Sequence, residues 1–340
     1  MFCRRPAFWI ALVVAACVSG LPLLKAQDKE PVDNAPADNA PVDNAPAENA
    51  PLRLTPHWKQ GEVLNYKITS THEQIDSGQA TPEWSLHHDL SIEVIAADDQ
   101  GYRIGWTQSG PAAGDAEQSI SLAIKLFSGL FAGQQIVIEV DRSGQIMGVA
   151  NWEALRDGIL AGLDALLAAN ADDTPPEELD HLKQQITESL QTKEGVENLV
   201  LSAPRIFLMP YGKDYALDEP TESENTTPNP FGGEPFPLRE KFEVSKYDAD
   251  SGIAEIVWKQ TMVADKTVEI LLAILDQLST RQDVTQETLN EIRALWMRDD
   301  AIFRIDTTTS VIKAMAHRQA VRHAKGQWSA DTVQLLQVAP

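Results

Sequence analysis

The sequence predicts an α+β fold: a duplicated antiparallel β-meander, forming a curved sheet or half-barrel, with helices packed on one face and a central helical insert. Three observations predict it. Residues 91–108 (SIEVIAADDQGYRIGWTQ) and 242–260 (FEVSKYDADSGIAEIVWKQ) share a Glu-Val pair, an Asp-rich turn ending in Gly, and a closing Ile-x-Trp-x-Gln. Apolar residues alternate on both sides of each turn, which marks a hairpin. The same order of parts then follows in both halves: an amphipathic helix and a second strand pair.

The elements follow in chain order. Residues 62–71 (EVLNYKITST) alternate as a strand. The first hairpin carries Glu93, Val94, Gly101, Ile104, Trp106 and Gln108; the second carries Glu243, Val244, Gly252, Ile256, Trp258 and Gln260. Their offset grows from 150 to 152 across the turn, so one loop is slightly longer. Apolar residues at 120, 124, 127 and 131 predict a helix after the first hairpin, and Val268 to Leu278 predict its counterpart after the second. Val137 to Ile146 and Ile302 to Val311 are matching strand–turn–strand segments, each with an Asp (Asp141, Asp306) opening the turn. The halves are then about 52–150 and 235–338, within one domain spanning 52–340.

Between them lies the helical insert. Asn151 is placed to cap a helix bearing Trp152, Leu155, Ile159, Leu163 and Leu166. Thr174-Pro175 starts another, with Leu179, Leu182, Ile186 and Leu190 on one face. Asp283 and Gln286 form a capping-box-like start for Leu289, Ile292 and Trp296. The Pro- and Gly-rich stretch from Asp218 to Pro237 predicts a loop. Val311 to Arg322 and Trp328 to Val338 predict a last hairpin turning at Lys325-Gly326.

Ahead of the domain, a basic start (Arg4, Arg5) precedes the uncharged run Ala7 to Val18. Those 12 residues are too few for a spanning helix, which needs roughly 20, and fit the apolar core of a secretory leader. Two processing routes stand side by side. Leu24-Lys25-Ala26 is a small-residue cleavage site that leaves Gln27 first. Val14-Ala15-Ala16-Cys17 resembles the lipobox of bacterial lipoproteins, in which the Cys becomes the acylated first residue. Residues 18–24 stay apolar, which favours plain cleavage at Ala26. Four Pro-led pentapeptides from Pro31 to Ala50 follow. Proline at every fifth position forbids continuous helix and the acids repel, so this stretch of the 27–51 linker is a disordered spacer.

Charge and cysteine content narrow the function. The net charge is −22, and the leader holds +3 (Arg4, Arg5, Lys25) with no acid, leaving −25 from Gln27 onward. That excess repels nucleic acid and anionic membrane surfaces, so no nucleic-acid partner is expected, and membrane attachment only through a lipid anchor at Cys17. The sole cysteines are Cys3 and Cys17, so the domain has neither disulfide nor thiolate chemistry.

No catalytic, cofactor or metal signature is present. His87-His88 would point to opposite faces of a strand, and the other histidines lack metal spacing. His317, Arg318, Arg322, His323 and Lys325 form a basic knot suited to guarding an edge hairpin or to docking an acidic partner. Asp248-Ala-Asp250-Ser-Gly252 lacks the remaining ligands of a calcium loop and reads as a turn. Trp106 and Trp258, at matching places in the two halves, are the candidates for a shared apolar ligand pocket; core or sheet-face packing is the plainer account of them, since aromatic residues are favoured in strands.

The motif Gly61-Glu-Val-Leu-Asn-Tyr66, the Asp/Gly turns and the helical insert together resemble uncharacterised exported bacterial proteins, whose plan is similar to the half-barrel of the periplasmic lipoprotein-carrier superfamily. The resemblance covers 52–338 and implies a non-catalytic binding module in the periplasm or cell envelope, with an apolar small molecule or an envelope protein as partner. A structural or partner-binding envelope protein without small ligand is the alternative expectation, and a hydrolase with an unrecognised site the third.

Overall fold

The computed structural model describes residues 51–76, 79–110, 112–113, 131–169, 180, 183–184, 186–188, 190–227, 234–278, 296–322 and 328–338. The processing candidates Cys17, Ala26 and Gln27, the pentapeptide repeat, the 120–130 part of the first predicted helix and the Asp283 helix start lie outside them.

The dominant element is one large, curved antiparallel sheet. Its first half runs through β2 (Val63–Asp76), β3 (Gln79–Asp98), β4 (Gly101–Gln108), β6 (Gln135–Asp141) and β7 (Ile146–Val149), with the short β5 (Ala112–Ala113) against β3. Its second half runs through β9 (Thr221–Thr227), β10 (Phe236–Asp248), β11 (Ile253–Met262), β12 (Trp296–Asp306), β13 (Val311–Arg322) and β14 (Trp328–Gln337). The last strand, β14, pairs with the first long one, β2, so eleven strands follow one another in the order β7-β6-β4-β3-β2-β14-β13-β12-β11-β10-β9. Apart from that pairing, and from the short β5 that returns to β3 so that β4 pairs with β6, each strand of this sheet pairs with a chain neighbour, as short un-crossed connections favour. A separate two-stranded ribbon joins β1 (Leu52–Arg53) to β8 (Asp214–Tyr215). The described helices are α1 (Trp152–Ala169), α2 (Lys193–Val200), α3 (Ser202–Leu208) and α4 (Ala264–Leu278).

The period-2 pattern sets the faces. In β2, Leu64, Tyr66 and Ile68 are buried while Val63, Asn65 and Lys67 are exposed. Directly opposed residues share a face, so Leu64, Ile92, Trp106 and Ile136 form one transverse row of side chains over four strands. Helical residues enter the same core cluster: Leu155, Ile159 and Leu163 of α1, Val196 and Val200 of α2, and Phe207 and Leu208 of α3. Phe207 sits edge-on between Tyr66 and Trp106, its ring centroid 5.4 Å and 5.5 Å from theirs. Alpha4 belongs to a smaller cluster with Phe236, Ile270 and Leu271.

Local chemistry fixes the turns. Asp98 accepts backbone N–H groups from Gln100 and Gly101, and Asp248 does the same for Asp250 and Ser251. Asp248 is thereby a turn-former, as the sequence implied. Asp141 and Asp306 bind the N–H groups two residues on, at Ser143 and Thr308. These are the side-chain-to-backbone bonds that make Asp a turn residue.

Three elements differ from the sequence expectation. Asn151 stands at the start of α1, its carbonyl accepting the Leu155 N–H at 3.0 Å, but its side chain does not cap the helix: the amide accepts from the Val137 N–H at 2.9 Å and donates to the Gln135 carbonyl at 2.8 Å, extending the pairing of β6 past the end of β7. The 218–237 stretch is not all loop: β9 occupies Thr221–Thr227, a segment free of Pro and Gly that hydrogen-bonds along β10. Trp296 begins β12 rather than closing a helix, because its backbone is opposite Arg322 in the ladder. Helix is a minor part of the molecule and antiparallel sheet the major part.

Gly101 sits where β4 crosses close to β6. A Cβ there would overlap the Val140 carbonyl oxygen. Gly101→Ala is expected to push those strands apart and lower stability by about 1–3 kcal/mol, the usual cost of an overpacked site, read as a drop in urea midpoint.

Candidate functional site

The register of the sheet assembles a polar row that no single segment displays. Glu240 faces Gln260, Gln260 faces Asp299, Asp299 faces Gln319, Gln319 faces Asp331, Asp331 faces His72, and His72 faces Trp84. Each pair is directly opposed, so seven consecutive strands carry this row on one face. The adjacent row, two residues along each strand, reads Phe242, Trp258, Ala301, His317, Val333 and Ser70. The next reads Val244, Ile256, Phe303, Met315, Leu335 and Ile68. A polar belt therefore borders an apolar floor on the inner face.

The belt is buried at its centre. Gln260 and Asp299 are each 3% exposed. Buried polar groups cost free energy unless hydrogen-bonded, and these are bonded: Gln260 Nε2 donates to Glu240 Oε1 at 2.9 Å, and Asp299 Oδ1 makes a short bond with His317 Nε2. Glu240 Oε2 takes a longer bond from Asn225 Nδ2 at 3.4 Å. At the other end, His72 stacks parallel on Trp84 with centroids 5.6 Å apart and bonds Asp331 through Nδ1 at 2.7 Å. That bond holds the His72 imidazolium on, raising its pKa above the usual histidine value, with burial opposing. A raised folded-state pKa stabilises fully below the unfolded value, about 6.5, and the gain is lost as pH climbs through the folded value. His72→Gln is expected to flatten the fall in stability as pH rises above the ordinary histidine value of about 6.5, as followed by thermal midpoints.

Trp258 forms the floor beside the belt. It is fully buried, with ring centroids 6.4 Å from both Phe242 and His317, and its indole Nε1 has no hydrogen-bond partner. Trp106, also buried, packs on Phe207. The two candidate indoles thus belong to one core cluster but have separate neighbours. Tyr66, 1% exposed, likewise keeps an unpartnered hydroxyl, and burial raises its pKa so that it stays an O–H donor.

Lys213 enters from the segment between α3 and β8. Its Nζ lies over the Phe242 ring, 4.4 Å from the centroid. Burial lowers its pKa, with the Glu240 charge partly offsetting. The same segment carries Tyr211, whose hydroxyl donates to the Ser310 carbonyl at 2.6 Å and ties it to the β12–β13 turn. Trp258 is marked by sequence alone as an aromatic in a repeated motif. Lys213 and Asp299 are not: Asp299 meets His317 only through the sheet register, and Lys213 meets Phe242 only through the tertiary course of the segment before β8.

The histidine pair and the basic knot resolve by alternation. His87 lies on the face with Thr69, bonding its Oγ1 at 3.1 Å, while His88 opposes Ile68 and burial lowers its pKa. His317 points inward to Asp299, Arg318 is exposed, and Arg322 covers the Trp328 ring at 5.8 Å. His323 and Lys325 lie outside the described residues. Among the described residues no group of three His, Cys, Asp or Glu is placed to hold a metal, and no helix is long and apolar enough to cross a membrane. The sequence matches no family model and no curated protein.

Proposed function

We propose that the chain is an exported, non-catalytic binding module of the cell envelope, whose curved sheet shelters an apolar ligand. One observation carries this reading. The inner side chains include buried hydrogen-bond donors with no partner, Tyr66 Oη and Trp258 Nε1. A purely structural core rarely leaves such groups unpaired, since each costs about 1–3 kcal/mol. An acceptor on a resident ligand would satisfy them. Export rests on the basic start, apolar run and small-residue site of the leader, with Cys17 and Gln27 as the two alternative mature N-termini.

The half-barrel plan with helices on one face, and its origin by duplication, supply the shelter in this reading. Beta-bulges support the repeat. Register shifts fall between Val94 and Ala96 in the first hairpin and between Val244 and Lys246 in the second, 150 residues apart. Shifts at Glu139/Val140 and Arg304/Ile305 are likewise matched, 165 apart. Bulges are placed features that re-aim a strand, so their recurrence at equivalent positions goes beyond shared composition. Two meanders side by side produce a sheet wide and curved enough to cover a ligand, and the insert with α1 to α3 is its lid. The resemblance of the sequence to lipoprotein-carrier-like proteins supports the same reading.

Native mass spectrometry of the protein purified from its own host tests this. A reproducible small-molecule adduct, lost on organic extraction, is expected. A ligand-free chain in every preparation would overturn the reading and leave the partner-binding envelope protein in its place. The same spectra fix the mature N-terminus: the mass of a chain beginning at Gln27 is expected, and a diacylated or triacylated Cys17 would replace plain cleavage with a lipid anchor.

A further inference from the structure

His72 sits on the seam between the two halves, on β2 between β14 of the second half and β3 of the first. Its Nδ1 lies 2.7 Å from Asp331 Oδ1 on β14, and its Nε2 lies 3.6 Å from Glu83 Oε2 on β3. The sheet is irregular at this point. Opposite the consecutive residues His72 and Glu73 stand Trp84 and Pro82, so Glu83 is an extra residue of β3 with no opposite number. The other register shifts fall in matched pairs in the two halves; this one has no counterpart among the described residues. A bulge re-aims a side chain, and here it brings a second carboxylate to the ring. A neutral imidazole has a single N–H. With that proton on Nδ1 for Asp331, the Nε2 lone pair faces the Glu83 carboxylate and repels it. Only the imidazolium, with an N–H at each nitrogen, attracts both. The charged groups acting on the ring are Asp331 from β14, Glu83 from β3 and Glu73 beside it on β2, each an acid that favours the proton.

We propose that His72 is a proton-operated clamp on this seam: charged, it ties β14 to β3 across β2, and neutral, it releases the distal end of the seam, where residues 72–75 pair with 328–331. That end is the part able to open. Leu64, Tyr66 and Ile68 anchor the near end in the core, whereas β2 has no fully buried residue beyond Ile68. Local opening there breaks little apolar packing. The Asp331 and Glu83 carboxylates are themselves exposed, so the clamp is weak enough to reverse. Opening returns the His72 ring to water. The closed seam is therefore favoured below the ordinary histidine value of about 6.5, and the gain is lost as pH rises through the higher value of the clamped ring.

The test is hydrogen–deuterium exchange of the full mature chain across a pH series from about 5.5 to about 8, with the intrinsic pH dependence of exchange removed by an unstructured reference peptide. Protection in residues 72–76 and 328–332 is expected to fall several-fold as pH rises, while residues 64–68 and β12 stay unchanged. His72→Gln should abolish that difference, leaving both segments equally protected at every pH. Asp331→Asn and Glu83→Gln should each keep the transition but move its midpoint to lower pH, Asp331→Asn further, because Asp331 makes the closer contact. Protection of β12 verifies that each variant is folded. Seam protection that does not change with pH in the natural chain, or a pH-dependent loss that persists in His72→Gln, would overturn the clamp. Should His72→Gln fail to fold, the other two variants decide: midpoints that do not move from that of the natural chain would overturn it equally.

Discussion

Replacing Trp258 with alanine is expected to destabilise the domain by about 3–5 kcal/mol, the range for deleting a large buried aromatic. The indole is fully buried and spans from Phe242 on β10 to His317 on β13. Its removal leaves a cavity at the middle of four strands whose backbone ladders cannot shift to fill it. Urea unfolding should show a lower midpoint with an unchanged slope. Trp258→Phe removes the N–H while keeping most of the ring, so it should cost much less. A Trp258→Ala loss below about 1 kcal/mol would mean that the site is far less tightly packed than a protein core.

Asp299→Ala is the second large effect, about 3 kcal/mol. It strands the His317 Nε2 in a site where both residues are under 10% exposed. Orphaning a buried polar group, or breaking a buried charge pair from one side, costs on this order. Removing both partners together, as in Asp299→Leu with His317→Leu, should recover most of the loss, because no unmet polar group remains. A double-mutant cycle on unfolding free energies reads the coupling directly. If the single and double variants are equally destabilised, the pair is not a mutually satisfying unit.

The sequence carried the sheet further than the site. Hairpins at 91–108, 242–260 and the C-terminus were legible because their inward residues alternate with charged ones, as Ile92, Val94, Ile104 and Trp106 do. The first half of β3 was not legible: Gln79 to Glu83 are all exposed, so no apolar period marks them as strand. Beta9 was hidden for the same reason, a run of Thr, Glu, Ser and Asn that takes its structure from the neighbouring β10. Asn151 misled because an Asn before an amphipathic run has two uses, and the β6 backbone outcompetes the helix terminus for its amide. Trp258 stood out by composition and repetition. The belt of Glu240, Gln260, Asp299 and Asp331 did not, because it exists only once register places residues from separate strands in one row.

The order of strands has a mechanical consequence. Beta14 and β2 pair over ten positions, Tyr66 to Ile75, and among the described residues this seam alone joins the two halves within the sheet. The segment from α3 to β8 crosses between them, with Phe207 on the β2–β4 side and Lys213 over Phe242 on the β10 side.

Hydrogen–deuterium exchange on the mature chain as purified from its host, and again after organic extraction, tests the central claim most directly. Sheltering of an apolar ligand on the inner face predicts greater protection before extraction than after it in residues 201–217 and in the β10–β13 segments around 256–260 and 315–319, with β6 and β7 unchanged. Protection unaltered throughout, or altered only in exposed strand ends and turns, would contradict it.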